Sequence, residues 1–212
     1  MKSKFATKAV IFDFDGVIFD TLDRVWSVVR EVFLKHGVPV RTKQEFLDMF
    51  EENWYDSLKK IEKSKEKFNS VIEECRQRLK VEQRSLDIFK GIDEVIRKLK
   101  KKHKLGLISS NFDEVIKQNL EEHDLLGYFD HYLGADVEQS KVKKMKSCLE
   151  MCNVNAADAV FICDTLGDIK EGKKLGIKVI AVTWGFHSRE RLLKGKPDFV
   201  AEKPEQLLEI LG

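Results

Sequence analysis

Two carboxylates follow a short apolar run near the start of the chain. Asp13 and Asp15 come directly after Ala9–Phe12, and Gly16 follows them. The run is typical of a buried parallel strand, and two carboxylates at its end are costly without a cation beside them. Alternation along a strand places Asp13 and Asp15 on the same side, while Gly16 permits a sharp turn or the close approach of a phosphate. The segment therefore predicts a site for a cation and a phosphate.

Further polar side chains follow two later apolar runs, Lys104–Ile108 and Ala159–Cys163. Lys141 lies between them, at the start of a helix-like stretch. Ligands of open α/β sheets bind at the carboxyl ends of the strands, so we expect these residues to meet at one edge. The residues that follow the two runs are Ser109, Ser110 and Asn111, and then Asp164 and Asp168.

This set of residues suits phosphoryl transfer. Mg²⁺ prefers oxygen ligands, and Asp13, the backbone carbonyl of Asp15 and Asp164 can supply three of them. Lys141 would add positive charge beside the carboxylates and the phosphoryl group, and the Ser109 hydroxyl would bind a phosphoryl oxygen together with nearby backbone N–H groups. A carboxylate can then attack phosphorus to form an acyl phosphate. Asp15 can protonate the leaving alkoxide and later deprotonate the attacking water.

Short apolar runs alternate with stretches of helical periodicity along most of the chain. This alternation predicts an α/β fold with a doubly wound parallel sheet. The predicted strands are Ala9–Phe12, Lys104–Ile108, Ala159–Cys163, Lys178–Val182 and Asp198–Val200. The predicted helices are Ile92–Lys101, Asp113–His123, Val142–Cys152, Asp168–Leu175 and Pro204–Leu211.

One region, from about residue 22 to residue 83, contains helical patterns and no strand pattern. A run of this length is too long for a loop in a compact domain. We therefore predict a small all-helical domain at 21–83, inserted into a core formed by 1–20 and 84–212. Its predicted helices are Asp23–His36, Thr42–Phe50, which begins with a capping box of Thr42 and Glu45, and the long, charged Ser57–Lys80.

The bulk composition argues against several functional classes. The 212 residues carry a formal net charge of +2, and Lys and Glu are interleaved. The protein therefore has no strong electrostatic field that would attract nucleic acid or an anionic membrane. No apolar stretch approaches the length of a membrane span, and the basic N-terminus precedes a short run that contains Asp13 and Asp15, unlike a signal peptide. Four cysteines without a CxxC pair indicate reduced, buried thiols. We expect a cytoplasmic monomer or homodimer with no nucleic-acid or membrane partner.

Four segments together resemble the motifs of the haloacid dehalogenase (HAD) superfamily. The run Asp13–Thr21, with the order Asp-Phe-Asp-Gly-Val-Ile-Phe-Asp-Thr, is similar to the first motif, and Leu107–Asn111 to the second. Lys141 resembles the third motif and Phe161–Asp168 the fourth. The resemblance covers essentially the whole chain in order, and it is closest to the branch that includes phosphoglycolate phosphatase-like and β-phosphoglucomutase-like proteins.

The resemblance implies a Rossmann-like core, a helical cap between the first two motifs, and a phosphatase that hydrolyses a small phosphorylated metabolite, phosphoglycolate-like or a sugar phosphate. It implies Asp13 as the nucleophile and Asp15 as the general acid and base, with Lys141 as a further catalytic residue. The predicted Mg²⁺ ligands are Asp13, Asp15, Asp164 and Asp168, the last either directly or through water. The predicted phosphate-binding residues are Gly16, Ser109, Ser110, Asn111 and Lys141.

The chain departs from the family pattern at two positions. Cys163 stands where the fourth motif usually has glycine, and Val142 stands where proline often follows the lysine of the third motif. We expect neither change to prevent metal binding. Of the two serines in the second motif, Ser109 is favoured for the phosphate because it directly ends the apolar run.

Several alternatives stay open at the level of sequence. The same machinery serves a phosphomutase of the β-phosphoglucomutase type, and a degenerate site would serve a non-catalytic phosphate-binding or regulatory protein. A dehalogenase is disfavoured because its chemistry does not need Asp15 as a proton donor to an alkoxide. Among ordinary structural roles, Thr21 is expected to cap a helix, Trp54 and Tyr55 to be packing residues, and His187 to be structural.

Overall fold

The chain is described at residues 7–212 by a computed structural model. Residues 1–6 of the predicted core, and with them most of the basic N-terminal stretch, lie outside the described residues. Within 7–212, six strands form one parallel sheet in the order β3-β2-β1-β4-β5-β6. The strands are β1 (Ala9–Asp13), β2 (Lys104–Ile108), β3 (His131–Leu133), β4 (Ala159–Cys163), β5 (Lys178–Val182) and β6 (Phe199–Ala201).

The described part of the chain also contains ten α-helices. They are α1 (Leu22–Lys35), α2 (Lys43–Asp48), α3 (Trp54–Ile61), α4 (Lys65–Glu82), α5 (Ile92–Leu99), α6 (Asp113–Glu122), α7 (Lys141–Cys152), α8 (Leu166–Lys174), α9 (Arg189–Leu193) and α10 (Gln206–Leu211). None of the helices within 7–212 combines the length and the apolar character that a membrane span requires.

The central strand β1 positions the first two carboxylates. It lies between β2 and β4, with Ile11 opposite Gly106 on one side and Phe161 on the other. All five residues of β1 are buried, because helices cover both faces of the sheet, which is what its continuous apolar run predicts. Apolar residues of α5, α6 and α10 fill one face, and those of α7, α8 and α9 fill the other. The predicted doubly wound α/β fold is confirmed.

The region predicted to be all-helical, 21–83, carries helices α1 to α4 and none of the six strands. These helices share a hydrophobic cluster of their own, which includes Val32, Phe33, Leu58 and Val71 and to which the core contributes Phe186. The capping box at Thr42 and Glu45 forms. A separate cluster supports a separate domain, and the boundaries 21–83 stay a prediction.

Two of the sequence expectations about elements are wrong, and two short elements were not predicted. The predicted long helix Ser57–Lys80 is two helices, because the backbone leaves the helical region at Glu62 and Ser64 starts α4 by accepting a hydrogen bond from Lys67 N. The short edge strand β3 and the short helix α9 were not predicted. Strand β3 has only three residues, of which two are partly exposed, so it has no continuous apolar run. Thr21 occupies the position before α1, but its hydroxyl makes no capping hydrogen bond.

Asn119 of α6 ties down the segment by which the chain returns from the helical insert to the core. Its side chain is fully buried, and its Nδ2 donates to Gln83 O at 2.7 Å while its Oδ1 accepts from Leu86 N at 2.9 Å. A second Nδ2 hydrogen bond goes to Val115 O at 2.9 Å within the helix. One amide thus binds a backbone carbonyl and a backbone N–H of the returning segment.

We expect the Asn119→Ala variant to be less stable by about 1–3 kcal/mol, because a buried backbone donor and a buried carbonyl lose their partner. Chemical denaturation measures the change. The matched control is Lys117→Ala, at an exposed position of the same helix, which should stay within about 0.5 kcal/mol of the parent. Equal stability of the two variants would contradict the role given to Asn119.

Candidate functional site

Asp13 and Lys141 form the centre of the site. The ammonium Nζ of Lys141 lies 2.6 Å from Asp13 Oδ2, and the other oxygen of Asp13, Oδ1, accepts from Phe14 N at 2.8 Å. Asp13 ends the central strand, whereas Lys141 begins α7, whose first turn is capped by the Ser140 side chain. The sequence prediction that Lys141 meets the carboxylates is therefore confirmed by the geometry, and the fixed orientation of Asp13 follows from hydrogen bonds to both oxygens.

Asp168 is the second partner of Lys141. Its Oδ2 lies 2.9 Å from Lys141 Nζ and accepts from Thr165 Oγ1 at 2.8 Å. Thr165 is the N-cap of α8, where its hydroxyl oxygen also accepts from Asp168 N at 3.2 Å. The start of α8 thus holds Asp168 through a reciprocal pair of hydrogen bonds, and one ammonium lies between the carboxylates of Asp13 and Asp168.

Asp164 is held from the side opposite the cluster. Its Oδ2 accepts from Phe186 N at 2.7 Å, whereas its Oδ1 is buried and has no partner among the described residues. Gly16 and Gly185 make room for this carboxylate: a Cβ on Gly16, whose φ is +71°, would lie 1.9 Å from Asp164 Oδ2, and one on Gly185 would lie 2.4 Å from it. Gly16 was expected to permit a sharp turn or the close approach of a phosphate. Its positive φ fits a turn, the close approach that the structure shows is to Asp164, and a contact with phosphate stays a prediction.

The pKa values of these groups are shifted from their usual range, and the direction of the shift differs among the residues. Burial raises the pKa of Asp13 well above its usual range, and it raises the pKa of Asp164 to about 7. Burial acts on Asp168 in the same sense, but the Lys141 ammonium outweighs it and lowers the pKa of that carboxyl. The pKa of Lys141 is raised, because Asp13 and Asp168 outweigh the opposing effect of burial. A single ammonium therefore does not stabilise three ionised carboxylates.

The three carboxylates have the arrangement of a cation site. One oxygen each from Asp13, Asp164 and Asp168 lies within 4.8 Å of the other two. The donor set consists of oxygens, which suits a hard divalent cation, and the unpartnered Oδ1 of Asp164 is a buried acceptor that such an ion would satisfy. The residues present fit the predicted cation.

Asp15 faces a different set of partners. Its Oδ1 accepts from Gln83 Nε2 and its Oδ2 from Asn111 Nδ2, both at 2.9 Å. The carboxylate of Asp15 is thus outside the cluster of three, and coordination of a cation by its backbone carbonyl stays a prediction. Burial raises the pKa of Asp15, so its protonated form persists to a higher pH than for a free aspartate.

The three polar residues of the second motif lie in two different environments. Ser110 and Asn111 line the cavity beside Asp15, whereas Ser109 is fully buried and its hydroxyl oxygen accepts from Asn111 N at 3.0 Å. Lys144, one helical turn after Lys141, is also fully buried and donates to the backbone carbonyl of Ser109. Burial lowers the pKa of Lys144 to about 8. The turn of the second motif is therefore held by a buried ammonium.

A cavity of about 100 Å³ lies over these residues. One part of its wall consists of the acidic residues, Lys141 and the second motif, and most of the rest comes from α1, α2, α3 and α4. Trp54 and Tyr55, expected as packing residues, line this cavity, as does Phe186. His187 is buried beside it, where its Nδ1 accepts from Leu166 N at 3.0 Å and its Nε2 donates to Leu47 O at 2.9 Å. These bonds support the structural role expected for His187.

Several residues at the site were not identified from the sequence, and the signal differs among them. Thr165 was missed, although it stands three residues before the predicted ligand Asp168, which is the spacing of an N-cap and its third helical residue. Lys144 is three residues after Lys141, so helical periodicity places it on the same face. Gln83 has no such signal, because it reaches Asp15 from a position that is distant in the chain.

The comparison with known families agrees with the motifs. Residues 10–182 match the family model described as haloacid dehalogenase-like hydrolase. This range begins in β1, ends in β5 and includes every residue of the cation cluster.

Individual relatives are similar to the chain over nearly its whole length. The phosphoglycolate phosphatase of Synechococcus elongatus is 23% identical over 203 residues, which covers 95% of this chain and 96% of the relative. The pyrophosphatase PpaX of Bacillus cereus is 26% identical over 208 residues, with 96% and 95% covered. The solved structure of a haloacid dehalogenase-like family hydrolase from Streptococcus pneumoniae has the same fold, with a TM-score of 0.83 at 22% identity over 96% of this chain and 98% of that one.

The raised pKa of Asp164 predicts how stability depends on pH in the absence of a divalent cation. A carboxyl whose pKa rises on folding binds more protons in the folded state, so its contribution to stability falls as the pH rises from about 4 to about 7. The Asp164→Asn variant removes this titration while keeping an acceptor for Phe186 N. In EDTA, we therefore expect the variant to gain stability relative to the parent over this pH interval.

Thermal or chemical denaturation at several pH values measures the difference. Asp158→Asn, which removes a partly exposed carboxylate paired with Lys8, is the matched control and should show no such gain. Adding Mg²⁺ should stabilise the parent more than the Asp164→Asn variant. A parent-to-variant difference that stays constant from pH 4 to pH 7 would contradict the assignment.

Proposed function

The chain belongs to the haloacid dehalogenase-like hydrolase family, and we propose that it is a Mg²⁺-dependent phosphatase that hydrolyses a small phosphomonoester through a phospho-aspartate on Asp13. The observation that carries the proposal is the ion pair between Asp13 and Lys141 at the wall of a cavity, beside the unpartnered oxygen of Asp164. The curated relatives named as a phosphoglycolate phosphatase and a pyrophosphatase support a phosphatase.

In this proposal Asp13, Asp164 and Asp168 hold Mg²⁺ together with the backbone carbonyl of Asp15. When bound, Mg²⁺ would lower the repulsion between an anionic nucleophile and an anionic phosphate. The raised pKa values of Asp13 and Asp164 support the need for this charge, since a nucleophilic carboxylate has to be ionised. Lys141 supplies the remaining positive charge next to the attacking oxygen.

The first chemical step forms a bond between a carboxylate oxygen of Asp13 and phosphorus and breaks the bond between phosphorus and the ester oxygen. Asp15 donates its proton to that leaving oxygen, for which its raised pKa is favourable. In the second step Asp15 accepts a proton from water, the water oxygen attacks phosphorus, and the Asp13 carboxylate is released. Inorganic phosphate and an alcohol are the products.

The second motif is the proposed cradle for the phosphoryl oxygens. Ser110 and Asn111 line the cavity, and the Ser109 hydroxyl can donate while its oxygen accepts from Asn111 N. Gln83 and Asn111 each donate one hydrogen bond to Asp15, which fixes its carboxylate beside the leaving oxygen. These two amides therefore position the proposed acid and base.

Replacing the proposed nucleophile tests the function directly. The Asp13→Asn variant should release no inorganic phosphate from any substrate of the parent, because an amide is a poor nucleophile. The assay is phosphate release with Mg²⁺ across a panel of small phosphomonoesters. Asp124→Asn, an exposed position, should keep parental activity. Near-normal turnover by the Asp13→Asn variant would exclude Asp13 as the nucleophile.

Replacing the proposed acid and base should slow the reaction without abolishing it. We expect the Asp15→Ala variant to lose about 10²–10⁴-fold in kcat, which is the range for general acid–base catalysis. Steady-state kinetics on the best substrate of the panel gives this value. An unchanged kcat would place proton transfer on another residue.

A further inference from the structure

The two sides of the cavity differ in chemistry. The side formed by the sheet edge is polar and holds the carboxylates, Lys141 and the second motif. The opposite side belongs to the inserted helices and is largely apolar, formed by Val25, Val29, Phe46, Trp54, Ile72 and Leu79 among others. Because the phosphoryl group has to lie against Asp13, the leaving group has to lie against this apolar wall.

Aromatic rings give part of the apolar wall a fixed shape. The ring of Phe50 stacks on Trp54 with centroids 6.3 Å apart, and it makes edge contacts to Phe46 at 5.1 Å and to Phe186 at 5.4 Å. Trp54 also stacks on Phe33 at 6.3 Å. A wall of closely packed rings offers an apolar surface, which suits an aromatic or other apolar group better than a hydrated one.

Arg76 of α4 is the one cationic side chain that the inserted helices contribute to the cavity wall, among the residues that the structure describes. Its Nε is buried without a hydrogen-bond partner, and its guanidinium lies 5.7 Å from the centre of the Phe112 ring. Its neighbours on the same helix are paired differently: Arg78 binds Glu31 and Lys80 binds Glu114.

A buried donor without a partner is costly, and a guanidinium matches a carboxylate with two parallel hydrogen bonds. Arg76 therefore provides a place for one anionic group of the leaving group. A second phosphate would carry two or more charges, and a sugar several hydroxyls. An apolar wall with one cation leaves most of those groups without partners, at a cost for each.

We propose that the preferred substrate is a small phosphomonoester whose leaving alcohol has an apolar, aromatic-compatible body and one carboxylate that binds Arg76. This inference rests on the proposed phosphatase function and adds the class of leaving group. It disfavours inorganic pyrophosphate and sugar phosphates as the best substrates.

Matched alkyl esters test the two features separately. The probes are 4-carboxybenzyl phosphate, benzyl phosphate, which lacks the carboxylate, and 2-phosphoglycolate, which lacks the ring, together with pyrophosphate and glucose 6-phosphate. All three esters of the matched set release a primary alcohol. With Mg²⁺ and the full chain, we expect the highest kcat/KM for 4-carboxybenzyl phosphate.

Variants of α4 identify the residue that binds the carboxylate of the substrate. Arg76→Met should lower kcat/KM for 4-carboxybenzyl phosphate about tenfold or more, the loss expected for a hydrogen bond to a charged group, and should leave benzyl phosphate almost unchanged. Arg76→Lys should recover part of the loss, since it restores the charge without the paired donors. Arg78→Met, two residues away and paired with Glu31, should behave like the parent on all probes.

Specific outcomes would overturn the inference. It is wrong if pyrophosphate, glucose 6-phosphate or 2-phosphoglycolate is hydrolysed as efficiently as 4-carboxybenzyl phosphate. It is also wrong if Arg76→Met lowers activity on the two benzyl esters equally. In both cases the phosphatase function stands, whereas the absence of phosphate release from all five probes and from the wider phosphomonoester panel would remove that function and this inference with it.

Discussion

The site depends on one electrostatic constraint, the crowding of carboxylates at the carboxyl end of the central strand. Asp13, Asp164 and Asp168 present oxygens within 4.8 Å of one another in a buried place, and Lys141 is the ammonium that contacts two of them. Buried like charges are tolerated only with compensating charge and hydrogen bonds, so the surroundings are organised to supply both. The N-cap of α8 orients Asp168, and the two glycines leave space for Asp164. The crowding of carboxylates is unfavourable by itself, and it is suited to the binding of a hard cation.

The sheet and the inserted helices contribute different parts of the site. The parallel sheet brings residues that are far apart in the chain to one edge, because its strands all end on the same side. The inserted helices close over that edge and contact the core at several points. Asn53 donates to Glu171, Lys170 donates to Glu51 O, and the Phe50 ring packs on Phe186. The carboxylates thus lie beside a cavity between the sheet edge and the inserted helices, in a buried place where charges interact more strongly than at the surface.

The sequence was sufficient for the parts of this structure that depend on local patterns. Continuous apolar runs identified the buried strands, and the acidic residues after them identified the site, because burial without compensation is costly for a carboxylate. Strand β3 and the break before Ser64 escaped prediction, since each depends on tertiary context or on one capping side chain. The contact of Gln83 with Asp15 joins positions 68 residues apart, and no periodicity in the chain encodes it. The position of Arg76 on the cavity wall was also not predicted, because that wall forms only when four helices pack together.

The two ends of the helical insert lie side by side. Asp20 N donates to Asp87 O at 2.9 Å, and Phe19 pairs with Ile88 in an isolated bridge. An insertion whose two ends lie close together requires little change in the backbone of the core into which it is inserted. During evolution such an insert can change the side chains that line the cavity, and even its length, while the residues at the sheet edge stay the same. A change of substrate then requires replacement of the helical insert alone. Gln83 sets a limit on that freedom. Because its side chain donates to Asp15, an exchanged module would still need a hydrogen-bond donor at the point where the chain rejoins the core.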